Sequence, residues 1–344
     1  MSYIEFDKNQ LVNLEYSLSK ELLRSNRAGS YACTTILGCN TRKYHGLLVT
    51  PQPALDGENH VLLSSMDITV IQREAEFNFG IHKFPCGVYT PKGHKYFRDF
   101  TTEPIPTLTF RVGGVLLTME LLLAINDERL LIRYTLIEAN SPTILRLRPF
   151  LAFRNVHRLT RANVLVERKY EKVDNGIKYR MYSGYSNLFM QLSKKPDYVH
   201  APDWYFNIEY SEEQERGYDY QEDLFAPGFF EAPIKKGEEI VLSVGTSEKK
   251  PALLKNLFTS EIKRRMPRDS FENNLVNSAN QFITRRDKKT HVIAGFPWFG
   301  RWGRDTFIAL PGITLAIDDP KTCKAVLDTM VSELSGPLFP NAGV

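Results

Sequence analysis

The strongest constraint on the fold is a change in hydrophobic period at Pro251. Before it, from about residue 60 to residue 245, apolar residues come in short runs broken by turn residues. The runs Val61–Gln72, Leu108–Val112, Arg129–Ile137, Thr143–Leu151, Asn163–Tyr170, Ile177–Tyr182, Leu188–Leu192, Trp204–Tyr210 and Glu239–Gly245 read as strands. Within them TILRLRPFLA alternates apolar and polar positions, as a strand with one wet face does. Gly113-Gly114, Asn140-Ser141-Pro142 and Lys236-Gly237 separate runs, and Asp174-Asn175-Gly176 is a hairpin signal. Many short strands at this spacing predict a large antiparallel β-sandwich. Nearer the N-terminus, Leu18 to Leu23 is expected to form one helical turn.

After Pro251 the period becomes helical. Leu253, Leu254, Leu257, Phe258 and Ile262 form one stripe, and Phe271, Leu275, Ala279 and Phe282 a second over Asp269–Arg286, with Asp269 or Ser270 as N-cap. A last helix is framed by Asp319 as N-cap, Pro320 in its first position and Gly336-Pro337 beyond its end. The basic runs Lys263–Arg265 and Arg285–Lys289 are placed at helix C-termini, where they complement the dipole. The expected division is therefore residues 1–248, a sandwich, and residues 249–344, helical.

One stretch carries chemistry. Ala294 to Thr314 reads AGFPWFGRWGRDTFIALPGIT and holds two of the chain's 3 Trp. Phe296, Trp298, Phe299 and Trp302 fall within a few positions of one another, with Arg304 and Asp305 directly after. Aromatic faces stack on the C–H faces of a pyranose, and a guanidinium beside a carboxylate supplies donors and acceptors for its hydroxyls. The competing reading is a buried aromatic turn with Arg304–Asp305 a structural pair.

FPWFGRWGRDTFIALPGI resembles the signature of the glycogen debranching enzyme family, the amylo-α-1,6-glucosidases. A second block, GSYACTTILGCNTRKYHGLLVT, resembles that family's N-terminal domain, and the two stand in the expected order. The resemblance implies that residues 249–344 open an (α/α)6 barrel, that Arg304 and Asp305 bind hydroxyls of a terminal glucose, and that Trp302, with Trp298, lines the pocket. A complete barrel of twelve helices needs about 300 residues, so the chain is expected to hold an incomplete barrel. Glycoside hydrolysis needs two positioned carboxylates. By resemblance that catalytic pair lies beyond Val344, so no catalytic residue is assigned within the chain. An incomplete barrel would leave Phe307, Ile308, Leu310 and Ile313 less well packed, and self-association through the exposed face is expected.

The implied substrate is glycogen or another branched α-glucan such as limit dextrin. The alternative is a non-catalytic β-sandwich that binds carbohydrate or docks a partner. Net charge is only +4, so no nucleic-acid partner is expected. The apolar run from Val115 to Ile125 is broken by Thr118, Met119 and Glu120 and is too short to span a bilayer. No Rossmann glycine fingerprint or P-loop occurs. The 4 Cys include no CxxC, and none has a His at zinc-ligand spacing, so no metal, cofactor or disulfide is expected. Reduced thiols and an N-terminus without a secretory pattern predict a cytoplasmic protein. His45 is read as structural. The segments Arg154–Asn163 and Glu212–Phe230 are read as polar loops with salt bridges.

Overall fold

The structure, a computed structural model, describes residues 2–341. Two large sheets, antiparallel in every pairing, dominate it. In one, the order is Glu5–Asp7, Phe97–Thr101, Thr107–Val112, Val115–Leu123, Arg129–Glu138, Glu239–Gly245, Leu188–Leu192, Gly176–Tyr179, Glu171–Val173. In the other it is Asp197–Glu209, Gln221–Ile234, Thr143–Asn155, Asn59–Gln72, Gly46–Pro51, Tyr31–Thr35, Glu21–Ser25. Leu48, Leu63, Leu147 and Phe230 of the second sheet share one core with Leu117, Leu130, Met190 and Leu242 of the first. The predicted antiparallel sandwich is thus what forms.

Each sheet also has an apolar patch on its outer face. Along the first sheet, Leu121 and Leu123 point into the sandwich, and Leu122 points out to Leu254 and Phe258 of the helix Leu254–Lys263. Burial on both faces accounts for the unbroken LLLA run. On the second sheet, Tyr31, Val49, Val61, Phe150 and Leu224 face outward and pack with Phe282, Ile293 and Phe296. The C-terminal part has its own small core of Val292, Leu310, Cys323, Val326 and Met330.

Four sequence expectations give way. Leu18–Leu23 is not a helical turn: Asn13 caps a short helix Leu14–Leu18, and Glu21–Ser25 pairs with Tyr31–Thr35. Asn163–Tyr170 is not a strand. The Asn163 side chain accepts from the Leu165 amide at 3.0 Å and Glu167 from the Lys169 amide at 2.8 Å, local bonds that compete with a ladder. Most of Glu212–Phe230 is not a loop, because Gln221–Ile234 runs between two strands of the second sheet. The helix expected over Asp269–Arg286 ends at Gln281, where Phe282 turns onto Phe296. Ile283–Arg286 and Lys289–Gly295 then form a hairpin about Asp287 and Lys288, whose φ values are 51° and 65°. The second basic run therefore lies on a hairpin rather than a helix end. Its turn carries neither Asn-Gly nor Asp-Gly, the usual sequence signal for such a bend.

The capped elements behave as expected. Ser270 accepts from the Asn273 amide and Asp319 from the Thr322 amide, and Asn175 takes φ 49° in its hairpin. All four cysteines are free. Leu310 is well buried, whereas Ile308 is 75 % exposed. No helix among the described residues is long and apolar enough to cross a membrane.

Phe258 locks the helix Leu254–Lys263 to the first sheet. It is fully buried, and its ring lies 4.6 Å from the Arg133 guanidinium. Phe258→Ala should cost about 3–5 kcal/mol, read as a lower denaturant midpoint for the sandwich; a loss under about 1 kcal/mol would show that the helix docks without it.

Candidate functional site

The two sequence blocks that carry the resemblance meet in space. The loop Asn40–Gly46 is built first. Thr34 donates to Asn40 Oδ1 at 2.8 Å, and Asn40 Nδ2 donates to the Ser64 carbonyl at 3.1 Å. The Thr41 amide donates to His45 Nδ1 at 3.2 Å, and the Glu212 amide donates to the Thr41 carbonyl at 3.0 Å. Tyr31 Oη reaches the Tyr44 carbonyl at 2.9 Å and Arg154 Nη2 the Lys43 carbonyl at 2.6 Å. So many backbone anchors leave one direction for Arg42. Its Nε donates to Glu21 Oε1 at 2.5 Å, its Nη2 lies 3.2 Å from Glu212, and its guanidinium lies 5.3 Å from the centre of the Trp298 ring.

The aromatic stretch divides its rings between two jobs. Phe296 is buried, 5.5 Å from Tyr31 and 6.1 Å from Phe282, so this ring is core, as the buried-turn reading held. Trp298 stacks with Arg42 instead, and its Nε1 is buried without a hydrogen-bond partner among the described residues. Phe299 is 56 % exposed and meets half-buried Trp302 edge-on at 6.3 Å.

Arg304 and Asp305 occupy the first turn of the helix Gly303–Ile313, which starts after Trp302. Asp305 suits that turn, since its carboxylate complements the helix N-terminus. Arg304 Nη2 lies 3.3 Å from Asp305 Oδ2, but the Arg304 side chain is 66 % exposed. That pair is not a core tether. Asp305 Oδ2 is buried and accepts no hydrogen bond among the described residues. An exposed ion pair of this kind contributes about 0–1 kcal/mol. The geometry joins Trp302 to Phe299 and Arg304 to Asp305, while Trp298 belongs with Arg42.

The two polar segments also come together. Glu222 is fully buried and takes Arg154 in a fork, with Nη2 to Oε2 at 2.9 Å, while Tyr210 donates to the same carboxylate. The Thr160 amide donates to Glu222 at 2.9 Å and the Ala162 amide to Asp223 at 2.9 Å. Glu222 and Asp223 are thus matched, and for them the salt-bridge reading holds, whereas the fully buried Glu213 carboxylate has no hydrogen-bond partner among the described residues. This network also fixes the Lys43 carbonyl and with it the loop that carries Arg42.

Sequence reasoning missed Arg42 and Glu21 as partners of the aromatic turn. The signal was present, since Arg42 lies in one resembling block and Trp298 in the other.

The architecture is thus an antiparallel sandwich that seats an aromatic turn at the start of a helical segment. Residues 20–241 match the family description "Glycogen debranching enzyme N terminal", and residues 277–343 match "Amylo-alpha-1,6-glucosidase". The chain belongs to the glycogen debranching enzyme family. No curated protein matches it. Among solved structures it is similar to a bacterial glucoamylase complexed with acarbose, at 12 % identity and TM-score 0.42, over 95 % of this chain and 49 % of that one. It is also similar to a mutant of the heparan sulfate lyase HepC from Pedobacter heparinus, at 14 % identity and TM-score 0.25, over 50 % of this chain and 22 % of that one. The chain thus spans about half the length of the glucoamylase.

Glu21 sets the pH response of the loop. His45, fully buried, places Nε2 3.3 Å from Glu21 Oε1. That contact, opposed by partial burial and helped by Arg42, lowers the Glu21 pKa to about 2. Burial also lowers the His45 pKa, with Glu21 opposing. A carboxyl depressed on folding stabilises above its unfolded pKa and loses that stabilisation as pH falls through the folded value. Glu21→Gln should therefore lower Tm at pH 7, with the gap to wild type closing between about pH 4.5 and about pH 2. A Tm difference independent of pH over that window would exclude the charge as its origin.

Proposed function

We propose that this chain is the N-terminal part of an amylo-α-1,6-glucosidase that hydrolyses α-1,6 branch points of glycogen or a related α-glucan in the cytoplasm. Residues 1–248 form its sandwich domain, and residues 249–344 open its (α/α)6 barrel. Trp298, Trp302, Arg304 and Asp305 are its sugar contacts. The proposal assigns the acid and base of hydrolysis to no residue of this chain.

The observation that carries this reading is the docking of the two resembling blocks. Phe296 anchors the turn on Tyr31, and Arg42 meets Trp298. The turn is then rigid while Arg304 and Phe299 stay exposed beside Trp302. A guanidinium can only donate and a carboxylate can only accept, so the pair at the helix start suits neighbouring sugar hydroxyls. Asp305 Oδ2 is turned inward beside Arg304, and the rest of the side chain, 35 % exposed, is open to a hydroxyl.

The test is Asp305→Ala in protein carrying its whole barrel. Loss of one to two charge-assisted hydrogen bonds should lower kcat/KM on limit dextrin about a hundredfold. Tm should fall by no more than a few degrees, because the Arg304–Asp305 pair is exposed. A large Tm loss with near-normal efficiency per folded molecule would make Asp305 structural and remove the assignment.

The outer sides of the last helices support a further part of the proposal. Ile308 is 75 % exposed, Val331 57 % and Leu315 52 %. Such exposed apolar residues are normally covered; in a whole barrel its other helices would do so, and for residues 1–344 alone we assign a second copy of the chain. Sedimentation velocity of residues 1–344 should show concentration-dependent association that Ile308→Lys with Val331→Lys weakens. A monomer at all concentrations would rule it out.

A further inference from the structure

A cavity of about 530 Å³ lies where Glu21–Ser25 and the end of Phe97–Thr101 meet the helix Phe271–Gln281. Its size is in the range of small-molecule sites, about 300–1,000 Å³. Leu22, Phe6 and Phe100 give it an apolar wall. Its polar lining includes Arg24, Arg268, Lys20, Asn274, Ser19 and Ser278.

The polar lining is unsatisfied in a patterned way. Arg24 is 8 % exposed and donates from Nη1 to the Leu23 carbonyl at 2.7 Å, with no carboxylate at ion-pair distance among the described residues. Arg268 reaches the Asn274 side-chain oxygen at 3.5 Å, while Glu103 accepts its backbone amide. Thr102 is 5 % exposed, and its hydroxyl has no hydrogen-bond partner among the described residues. Gln281 Oε1 is likewise buried and unpartnered there. Arg264 and Arg265 are close behind, but they share Glu261, at 2.8 and 3.6 Å. Glu21 also lines the cavity, yet it is engaged by Arg42 and His45. Burial, then Arg268 and Arg265, pushes the Arg24 pKa down, as an uncompensated cation requires. Leaving a buried guanidinium without an anion is costly.

We propose that this cavity binds a small phosphate ester bearing hydroxyl groups, a sugar phosphate by class. The two guanidinium forks of Arg24 and Arg268 present donors to the terminal oxygens of a phosphate, which carries about −1.5 to −2 charges. A carboxylate offers two oxygens and one charge. The Ser19 and Ser278 hydroxyls, which also line the cavity and donate to backbone carbonyls, keep acceptor capacity for a ligand hydroxyl. The apolar wall takes the carbon face of the ring. No residue of the Trp298 turn lines the cavity, although Glu21 and Phe282 border both, and its ligand is argued independently of the glucan reading above.

The experiment is calorimetric titration of the protein with glucose 1-phosphate, glucose 6-phosphate, inorganic phosphate and glucose at matched ionic strength in sodium chloride. At least one of the two esters should bind saturably, raise Tm, and bind about tenfold or more tighter than inorganic phosphate or glucose. Arg24→Gln and Arg268→Gln should each weaken the ester about tenfold or more, the loss of a charge-assisted hydrogen bond. Arg264→Gln, exposed and tied to Glu261, should not. If Arg24→Gln fails to fold, Arg268→Gln carries the test, because Arg268 lies in the loop before the helix. No saturable binding of either ester, or binding unchanged in Arg268→Gln, overturns the site. Inorganic phosphate binding as tightly as the esters overturns the sugar part of the assignment, and glucose binding as tightly overturns the anionic part.

Discussion

Part of the second sheet is apolar on both faces, and the rest of the molecule is arranged by that fact. Its inner face, with Leu48, Leu63 and Leu147, builds the sandwich with the first sheet. Its outer face, with Tyr31, Val49 and Phe150, cannot remain in water, and the chain supplies Phe282, Ile293 and Phe296 to cover it. Each large ring removed from water there is worth about 1.5–3 kcal/mol. The seat of Phe296 on this face brings Trp298 to Arg42. The candidate site is thus a by-product of core packing, and the polar contacts refine a position that apolar burial has set.

Charge is handled in two ways within the same fold. Arg154, Glu222, Tyr210 and the backbone amide of Thr160 form a closed set in which every buried group has a partner. Such a set costs desolvation and returns it only when complete, and its product is a rigid loop Asn40–Gly46. Around Arg24 and Arg268 the accounting is left open on the cationic side. The contrast matters because both clusters are built around buried arginines, Arg154 near the end of an interior strand and Arg24 on an edge strand. In one the chain provides the carboxylate, and in the other it provides a cavity.

Much of the fold was legible in the sequence, and the misses share a cause. Period-two runs located most strands, and Ser270, Asp319 and Asn175 marked caps and a turn where they occur. The sequence reads Glu212–Phe230 as a loop, and the charged Glu222 and Asp223 hide the strand Gln221–Ile234 that runs through it. Their partners Arg154, Thr160 and Ala162 lie far away in the chain, so nothing local revealed that they are satisfied. Asn163–Tyr170 was read as strand because Val164, Leu165 and Val166 are apolar, yet Val164 and Leu165 are exposed while side chains bond the local backbone. The hairpin at Asp287-Lys288 hid behind charged residues with positive φ.

By itself the sequence determined the class of structure and the family, because periodicity, caps and contiguous motifs are local properties that a chain carries before it folds. It also marked the residues Trp298, Trp302, Arg304 and Asp305 as chemically unusual. Only the tertiary structure decided which rings are core and which are open. Phe296 and Trp298 are two residues apart, yet one is buried against Tyr31 and the other meets Arg42. That division depends on the outer face of a sheet whose strands lie far upstream, and on a loop fixed by Arg154 and Glu222. Such long-range pairing exists only after loop closure has brought those segments together.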